Sequence, residues 1–336
     1  MLKLYLIMAK IDLIQKLKQA NLLGRGGAAY PTHAKWQMVL DIQATKKYIV
    51  ANGSEGEPNV HKDFFILQHH PHILVDGVKQ ALASIPNSEG IIYLNKKYYR
   101  RFKKPLEKII AKAPITVFEE QGGYLSGEET VLCEEIEGKL ARPRLRPPYP
   151  GQKGINGCPT LINNIETFYY VSKIAHDDYE AKRFYTVSGD VKKPGVYELS
   201  IDLSIREVLE ATGNLPKKSF FVQAGGGASG EIFLETELDR PVGGSGAIVV
   251  YDRQKTDPYL LMYRWAKFFM KSNCDKCTPC REGVYRLAEM LHKRMIDQKT
   301  LDDLFLVMEE SSFCALGKSV PTPFRSLIYK IITPTK

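Results

Sequence analysis

The first half of the chain alternates between strand-like and helix-like patterns of hydrophobic residues. Short apolar runs in the segments KKYIVANG, GIIYLN and ITVFEEQ indicate buried strands. Apolar residues at helical spacing occupy the intervening segments PHILVDGVKQALASI and KPLEKIIAKAP, and also the earlier segment AKIDLIQKLKQANLL. Because strands that alternate with helices form parallel sheets, the pattern predicts an α/β domain over roughly residues 1–175.

The pattern changes twice in the second half. Over residues 182–252, short strands are separated by glycine-containing turns and accompanied by one short helix, which predicts a small α+β domain. Residues 256–336 contain three helical segments, YLLMYRWAKFFMKS, CREGVYRLAEMLHKRM and LDDLFLVMEESS. The chain is therefore expected to form three domains.

Composition and charge narrow the choice of partners. The 336 residues carry a net charge of +9, but the densest basic run, NKKYYRRFKKPLEK, is local and typical of a solvated helix face. We expect this face to dock an acidic protein, and we expect no binding of nucleic acid.

No apolar stretch approaches the roughly 20 residues of a membrane span, so no direct membrane insertion is expected. The start, in which Met1 or Met8 could be the initiator, does not have the pattern of a signal peptide, which indicates a reducing, cytoplasmic location.

Cysteines are concentrated near the end of the chain. Three of them form one C-x2-C-x2-C run, namely Cys274, Cys277 and Cys280. This spacing is typical of three ligands of a [4Fe-4S] cluster, with Cys314 as the candidate fourth ligand. A zinc site and packed free thiols are the alternatives. Cys133 and Cys158 are isolated and are interpreted as ordinary buried thiols.

The segment GRGGAAYPTHAKW, residues 24–36, has the composition of a ligand-binding loop. Its glycines allow close approach of the backbone, whose N–H groups can bind a phosphate. Arg25 and Lys35 could neutralise phosphates, and Tyr30 could stack on a ring. A tight turn beside a solvated lysine explains the segment equally well.

Three further segments carry polar residues near predicted strand ends. ANGSEGEPNVHKD and GGYLSGEETVL contain the acidic pairs Glu55/Glu57 and Glu128/Glu129, which suit ribose hydroxyls, flavin or nicotinamide. Acidic charges at helix N-termini would also explain them. In GCPTLINNIETF, Asn163, Asn164 and Thr167 lie at helical spacing, either as hydrogen-bonding groups for a cofactor or as a capped helix start.

In this order the segments resemble the flavin- and NADH-binding subunit of respiratory complex I. The same family supplies diaphorase subunits of NAD-linked hydrogenases and of soluble formate dehydrogenases. The resemblance covers about Leu13 to Ile328 and rests on seven motifs: GRGGAAYPTHAKW, EGEPNVHKD, GEETVLCEEIEGK, PRLRPPYPG, CPTLINNIET, CDKCTPCREG and CALG.

The resemblance implies a Rossmann-like α/β domain for FMN and NADH, a ubiquitin-like β-grasp domain, and a C-terminal α-helical bundle that binds one [4Fe-4S] cluster. It implies that hydride passes from NAD(H) to FMN and that single electrons pass to the cluster, without a catalytic protein nucleophile or base. It further implies a larger complex, through which the chain could associate with a membrane. The expected partners are a thioredoxin-like [2Fe-2S] subunit and a further iron–sulfur subunit.

The resemblance also implies roles for individual residues. Those expected to line the nucleotide and flavin site are Gly24, Arg25, Gly26, Gly27 and Lys35. Those expected to hold FMN are Asn52, Glu55, Tyr124, Gly127, Glu128, Asn163, Asn164 and Thr167. Those expected to contact NADH are Tyr30, Glu57, Glu129, Arg146 and Tyr149. The implied cluster ligands are Cys274, Cys277, Cys280 and Cys314.

The chain departs from the family pattern at several of these positions. Ser54 stands where the family usually has an aspartate, Ala29 and His33 where it usually has glycines, and Arg146 where lysine is frequent. Arg25 and Arg146 could meet the 2′-phosphate of NADPH. The departures leave open a relay subunit that keeps the cluster but has lost FMN or NADH binding. A relative of the Rnf-type soluble subunit and a ligand-binding β-grasp module are further alternatives.

Overall fold

The computed structural model describes residues 13–333, so both candidate initiators lie outside the described residues. The chain forms two compact units. The first ends at Arg183 and excludes residues 57–60, which belong to the second. The second unit continues from Phe184 and contains both a β-sheet and the C-terminal helices.

The first unit is built on a four-stranded parallel sheet in the order β3-β2-β1-β4. The strands are β1 (Lys47–Gly53), β2 (Ser88–Leu94), β3 (Ile115–Glu119) and β4 (Thr160–Asn164). Successive residues Ile49, Val50 and Ala51 are all fully buried, as expected for a strand covered on both faces. The prediction of a parallel α/β layer is confirmed, and its three predicted strands are β1, β2 and β3.

Strand β4 was missed because its short apolar run merges with the helix that follows. The sequence places Asn163, Asn164 and Thr167 at helical spacing, whereas the structure puts both asparagines at the end of a strand. Asn164 then caps the next helix by accepting a hydrogen bond from the N–H of Glu166 at 3.0 Å.

Helices cover the sheet of the first unit. They are α1 (residues 13–19), α2 (Thr32–Asp41), α3 (Lys62–His69), α4 (Pro71–Ser84), α5 (Lys96–Ile110), α6 (Glu129–Ile136), α7 (Pro150–Lys153) and α8 (Ile165–Ala175). Helices α4 and α8 approach closely at Gly77, where an added Cβ would lie 1.9 Å from the carbonyl oxygen of Phe168.

Helix α5 carries the basic run of the sequence. Its side chains Tyr98, Phe102, Leu106 and Ile110 are buried at a spacing of four residues, while most of its lysines and arginines are exposed. Asn95 caps the helix by accepting a hydrogen bond from the N–H of Tyr98 at 2.9 Å. The basic run is therefore a solvated helix face, as predicted.

The second unit begins with a five-stranded sheet in the order β6-β5-β9-β7-β8. Its strands are β5 (Lys182–Gly189), β6 (Gly195–Ser200), β7 (Phe220–Ala224), β8 (Glu231–Leu234) and β9 (Ala247–Asp252), with helix α9 (Ile205–Ala211) between β6 and β7. Strand β9 pairs parallel with β5 and antiparallel with β7. Tyr185, Val222 and Ile248 contribute to the core on one face of this sheet.

The C-terminal helices are α10 (Pro258–Ser272), α11 (Thr278–His292), α12 (Gln298–Ser311), α13 (Ala315–Ser319) and α14 (Pro321–Leu327), followed by a π-helical turn (Ile328–Ile332). The ring of Phe324 lies 5.7 Å from Trp265 and 6.3 Å from Phe269, centroid to centroid, so α14 packs on α10. Within residues 13–333, no helix has the length and apolar character needed to cross a bilayer.

Candidate functional site

The carboxyl ends of the parallel strands bring three predicted segments of the first unit together. Asn52 and Asn164 are register partners at the ends of β1 and β4, and the amide of Asn164 donates to the carbonyl oxygen of Asn52 at 3.2 Å. Glu120 follows β3, and its N–H donates to the carbonyl oxygen of Leu94 at 2.9 Å. This edge is where open α/β sheets bind ligands.

The glycine-rich loop lies against the same edge. Backbone hydrogen bonds of 2.9 Å join Gly24 to Tyr30 and Thr32 to Leu22, so they close the base of the loop. A Cβ on Gly26 would come within 3.5 Å of the Cβ of Asn164, and Gly27 has a φ of 115°. Consecutive loop residues therefore keep their backbone open beside the sheet edge.

The side chain of Arg25 is buried. Only 5% of the residue is exposed, its guanidinium lies 5.7 Å from the ring of Tyr170, and it donates to the carbonyl oxygen of Lys182 at 3.5 Å. The backbone N–H of Arg25 donates to Thr167 Oγ1 at 3.0 Å. The side chain thus anchors the loop to the core, and the predicted contact of Arg25 with a phosphate stays a prediction.

The two carboxylate oxygens of Glu128 differ in their hydrogen bonds. Its Oε2 accepts from the N–H groups of Thr130 and Val131, each at 3.0 Å, and so caps α6. Its Oε1 is buried without a hydrogen-bond partner among residues 13–333, with the guanidinium of Arg146 3.5 Å away. A buried carboxylate oxygen in this state is ready to accept a hydrogen bond from a ligand.

Aromatic rings and cations lie near the surface beside this loop. Lys35 forms an ion pair with Glu129 at 2.5 Å and lies 5.9 Å from the ring centre of Tyr30. Tyr30 is 46% exposed and Tyr149 is 51% exposed. Each ring therefore has a face on which a planar ligand from solvent can stack.

A buried charged cluster behind Asn164 was not identified from the sequence. Lys62 is 2% exposed, and its ammonium lies 2.7 Å from Asp63, 2.7 Å from Asn164 Oδ1 and 3.3 Å from Glu166. Burial alone would lower the pKa of Lys62, but the carboxylates of Asp63 and Glu166 raise it above its usual value. The available signal was the pair Lys62–Asp63 inside the motif EGEPNVHKD.

Glu55 holds the start of helix α3. Its oxygens accept from the N–H of Asp63 at 2.9 Å, the N–H of Phe64 at 3.2 Å and the hydroxyl of Tyr98 at 2.6 Å. Burial, followed by the Glu55 carboxylate, raises the pKa of Tyr98, so this hydroxyl stays a donor. Glu55 therefore has a structural role in the first unit, and its predicted contact with FMN stays a prediction.

The remaining predicted residues of this edge make the following contacts. Asn163 Oδ1 accepts from the indole N–H of Trp36 at 3.0 Å. The amide of Asn52 donates to the carbonyl oxygen of Gly127 at 2.9 Å, and Tyr124 begins the 3-10 turn that ends at Gly127.

Ser54 is joined to a second buried carboxylate. Its hydroxyl donates a hydrogen bond to Glu120, and its N–H donates to Asn52 Oδ1 at 3.1 Å. Burial raises the pKa of Glu120 to about 7. The hydrogen bond from Ser54 opposes this shift, and the nearby Glu135 adds to it.

In the second unit, Glu57 is held by the loop that follows β7. Its Oε1 accepts from the N–H of Ala228 at 2.9 Å, the N–H of Ser229 at 2.9 Å and the hydroxyl of Ser229 at 3.0 Å. The predicted NADH contact of Glu57 stays a prediction.

The four predicted cluster ligands converge in the second unit. Cys277 and Cys314 directly precede α11 and α13, Cys280 lies in the first turn of α11, and Cys274 lies in the preceding loop. The N–H of Phe313 contacts Cys277 Sγ at 3.5 Å. Burial and then the nearby thiols Cys277, Cys314 and Cys274 raise the pKa of Cys280 to about 12.

A [4Fe-4S] cluster and a single zinc ion require different spacings of these thiols. Over the part of the chain that the structure describes, no three His, Cys, Asp or Glu side chains converge closely enough to hold one metal ion. A tetrahedral zinc ion would need its sulfurs about 2.3 Å from one centre, whereas a cubane binds its cysteines at separate corners. Outside this group, Cys133 is buried as expected, but Cys158 is only half-buried.

Three family models match successive parts of the chain. They are described as the Nuo51 FMN-binding domain over residues 17–173, the SLBB domain over residues 184–230, and the NADH-ubiquinone oxidoreductase-F iron-sulfur binding region over residues 260–331.

Relatives and solved structures give the same result. An NADH-quinone oxidoreductase subunit of Streptomyces coelicolor is 33% identical, over 96% of this chain and 82% of its own length. The corresponding protein of Aquifex aeolicus is also 33% identical, over 92% and 82%. A crystal structure of an NAD+-reducing [NiFe]-hydrogenase in the air-oxidized state matches with a TM-score of 0.87 and 31% identity, over 95% of this chain and 61% of that chain. The chain therefore belongs to the family of NADH-quinone oxidoreductase subunits that have the Nuo51 FMN-binding domain and the oxidoreductase-F iron-sulfur region.

Proposed function

We propose that this chain oxidises NADH by transferring hydride to FMN and passes single electrons to a [4Fe-4S] cluster. The observation that carries the proposal is the meeting of the predicted flavin loops at the carboxyl edge of the parallel sheet. The convergence of four cysteines in the second unit supplies the one-electron centre. FMN accepts two electrons together and releases them singly, which is the chemistry that links NADH to such a cluster.

The residues at the sheet edge fit FMN on two grounds. Gly27 has a φ of 115°, which residues with a Cβ rarely adopt, so the glycine allows the loop to take this shape beside the sheet edge. The buried Oε1 of Glu128 lacks a hydrogen-bond partner among the described residues, and a ligand donor would satisfy it. We assign the loop from Gly24 to Gly27 and Lys35 to nucleotide and flavin binding. Asn52, Tyr124, Gly127 and Glu128 contact the flavin, and Asn163, Asn164 and Thr167 support it.

The exposed rings have a separate role in this proposal. Tyr30 and Tyr149 stack on the planar groups of NADH, while Glu129 and Arg146 orient it. Lys35 already forms an ion pair with Glu129 at 2.5 Å. NADH would therefore enter a site in which these two charges are balanced. None of these side chains needs to transfer a proton or form a covalent bond.

We further propose that residues 1–175 form a Rossmann-like domain, residues 182–252 a β-grasp domain, and residues 256–336 a helical bundle that holds the cluster.

The names of the relatives support partner subunits of a complex I or hydrogenase type. A thioredoxin-like [2Fe-2S] subunit and a further iron–sulfur subunit are the proposed acceptors. Because the cluster requires reduced thiolates, the cytoplasm is the proposed location.

An anaerobic NADH titration of the FMN- and iron-reconstituted protein tests the proposal. We expect NADH to bleach the flavin absorbance and to produce the EPR signal of a reduced [4Fe-4S] cluster. C277S should lose the EPR signal but keep flavin bleaching, whereas C158S, the matched control outside the cluster, should keep both. A cluster without flavin binding would instead indicate a relay subunit.

A further inference from the structure

Glu120 is a buried carboxylate at the edge of the sheet to which the sequence assigned no role. It follows β3, its N–H donates to the carbonyl oxygen of Leu94 at 2.9 Å, and the residue is 9% exposed. Burial of a carboxylate is costly unless hydrogen-bond donors surround it. The donors around Glu120 are therefore informative.

Two neighbouring buried glutamates differ in how many donors they have. Glu135 accepts from the hydroxyl of Tyr93 at 2.5 Å, the hydroxyl of Ser126 at 2.5 Å and the N–H of Gln121 at 2.8 Å. Within residues 13–333, the hydroxyl of Ser54 is the donor that Glu120 has. Since a carboxylate can accept about four hydrogen bonds, Glu120 retains capacity that the fold does not use.

Ser54 places this carboxylate beside the proposed flavin loops. Its N–H donates to Asn52 Oδ1 at 3.1 Å, and its carbonyl oxygen would lie 3.2 Å from a Cβ on Gly127. Asn52 and Gly127 are themselves joined by a hydrogen bond of 2.9 Å. Ser54 thus links Glu120 to two residues of the proposed FMN site.

We propose that Glu120 is a flavin-site carboxylate, oriented by the hydroxyl of Ser54. The proposal rests on the proposed binding of FMN and adds a residue to that site. A carboxylate here accepts a hydrogen bond from a donor of FMN, whose donors are its ribityl hydroxyls and its imide N–H.

Titration of apoprotein with FMN, followed by quenching of flavin fluorescence, tests the proposal directly. The full chain is measured at pH 8, where Glu120, which faces Glu135 and Tyr93, is largely ionised. We expect E120Q to weaken FMN binding about tenfold, since hydrogen bonds to charged groups are the strong ones. S54A should weaken binding by a smaller factor, because the carboxylate remains but loses its orienting donor. E119Q, at the adjacent position, is the matched control and should bind as the wild type does.

The decisive variant moves the carboxylate. The double variant S54D/E120Q should recover FMN affinity to within about threefold of wild type, because the negative charge returns to the same edge of the site. A merely structural role of Glu120 would not be rescued in this way. Circular dichroism melting and the cluster EPR signal establish that each variant is folded.

The outcomes separate the two proposals. If wild-type protein does not bind FMN, the proposed function fails and this inference falls with it. If wild type binds FMN but E120Q binds equally well, only the role of Glu120 is overturned. That role is also overturned if E120Q binds weakly while the double variant shows no recovery.

Discussion

Ala29 adopts a left-handed backbone conformation, with a φ of 51°, in the loop that lies beside the proposed flavin site. Such a conformation strains a residue that has a Cβ, by roughly 1 kcal/mol. Hydrogen bonds at Gly24 and Thr32 close the base of the loop and hold Ala29 in this strained conformation.

Replacing Ala29 by glycine should therefore stabilise the protein. A29G is expected to raise the free energy of unfolding by up to about 1 kcal/mol, the released strain being partly offset by the greater entropy of the unfolded chain. Chemical denaturation measures the change. Ala28 is also exposed but does not have a positive φ, so A28G should lower stability and serves as the control. Equal effects of the two substitutions would contradict the strain argument.

The buried carboxyl of Glu120 should make stability depend on pH. Its pKa is raised to about 7 in the folded protein, so between its usual value and pH 7 the folded state binds more protons than the unfolded state. The free energy of unfolding should therefore fall as pH rises through this window, by about 3 kcal/mol at most. Urea denaturation of FMN-free protein at pH 4.5 and pH 8 measures the fall. E120Q should remove this part of the pH dependence, and an unchanged profile in E120Q would contradict it.

At the scale of elements, ion pairs and caps hold α3 and α8 at the ends of the strands. Lys62 in the first turn of α3 contacts Glu166 in the first turn of α8, and it also bonds to Asn164, which caps α8. Glu55 holds α3 through the N–H groups of Asp63 and Phe64. The bonds of Lys62 and Asp63 to Asn164 fix the orientation of its amide, so buried polar residues behind Asn164 set the geometry of the site.

Replacing Lys62 by methionine should be strongly destabilising. The substitution leaves the buried carboxylates of Asp63 and Glu166 without their cation, which costs about 3 kcal/mol or more. Thermal and urea denaturation measure the loss. The exposed pair Lys46–Glu89, 2.9 Å apart, provides the control, because K46M should change stability by less than about 1 kcal/mol. Similar losses in both variants would argue against a special role for the buried pair.

At the scale of the whole molecule, the two units carry different parts of the proposed chemistry. The first supplies polar loops at the edge of a parallel sheet. The second brings together cysteines from a loop, from α11 and from the start of α13. Gly317 allows this packing, since a Cβ there would lie 3.0 Å from the Cβ of Cys280. A bound cluster would cross-link these segments.

Removing the iron should therefore destabilise the protein. Because a cluster binds the folded state and not the unfolded chain, its loss lowers the melting temperature. Differential scanning calorimetry of holoprotein and of anaerobically chelated protein, with iron content determined in parallel, measures the shift. C314S should behave like the chelated protein, while C158S should keep its iron and its melting temperature. An iron-free protein with an unchanged melting temperature would contradict the cross-linking role.

Local patterns were sufficient for much of this description. Buried strands such as Ile49 to Ala51 and the four-residue stripe of α5 follow directly from hydrophobic spacing, because burial on two faces or on one face selects these patterns. The C-x2-C-x2-C run predicted three cluster ligands from spacing alone. Strand β4 was missed because its apolar run is short and leads straight into α8.

The sequence by itself determined most of the secondary structure, the ordered motifs and the family resemblance, because these depend on residues that are close together along the chain. Only the tertiary structure decided which polar groups form hydrogen bonds with one another. It turned Arg25 into the core, committed Glu55 to α3, and brought Glu120 to Ser54 across 66 positions of sequence. The physical reason is that a buried charged group forms hydrogen bonds with whichever segment the fold places beside it. The spacing of residues along the sequence does not indicate which segment that is.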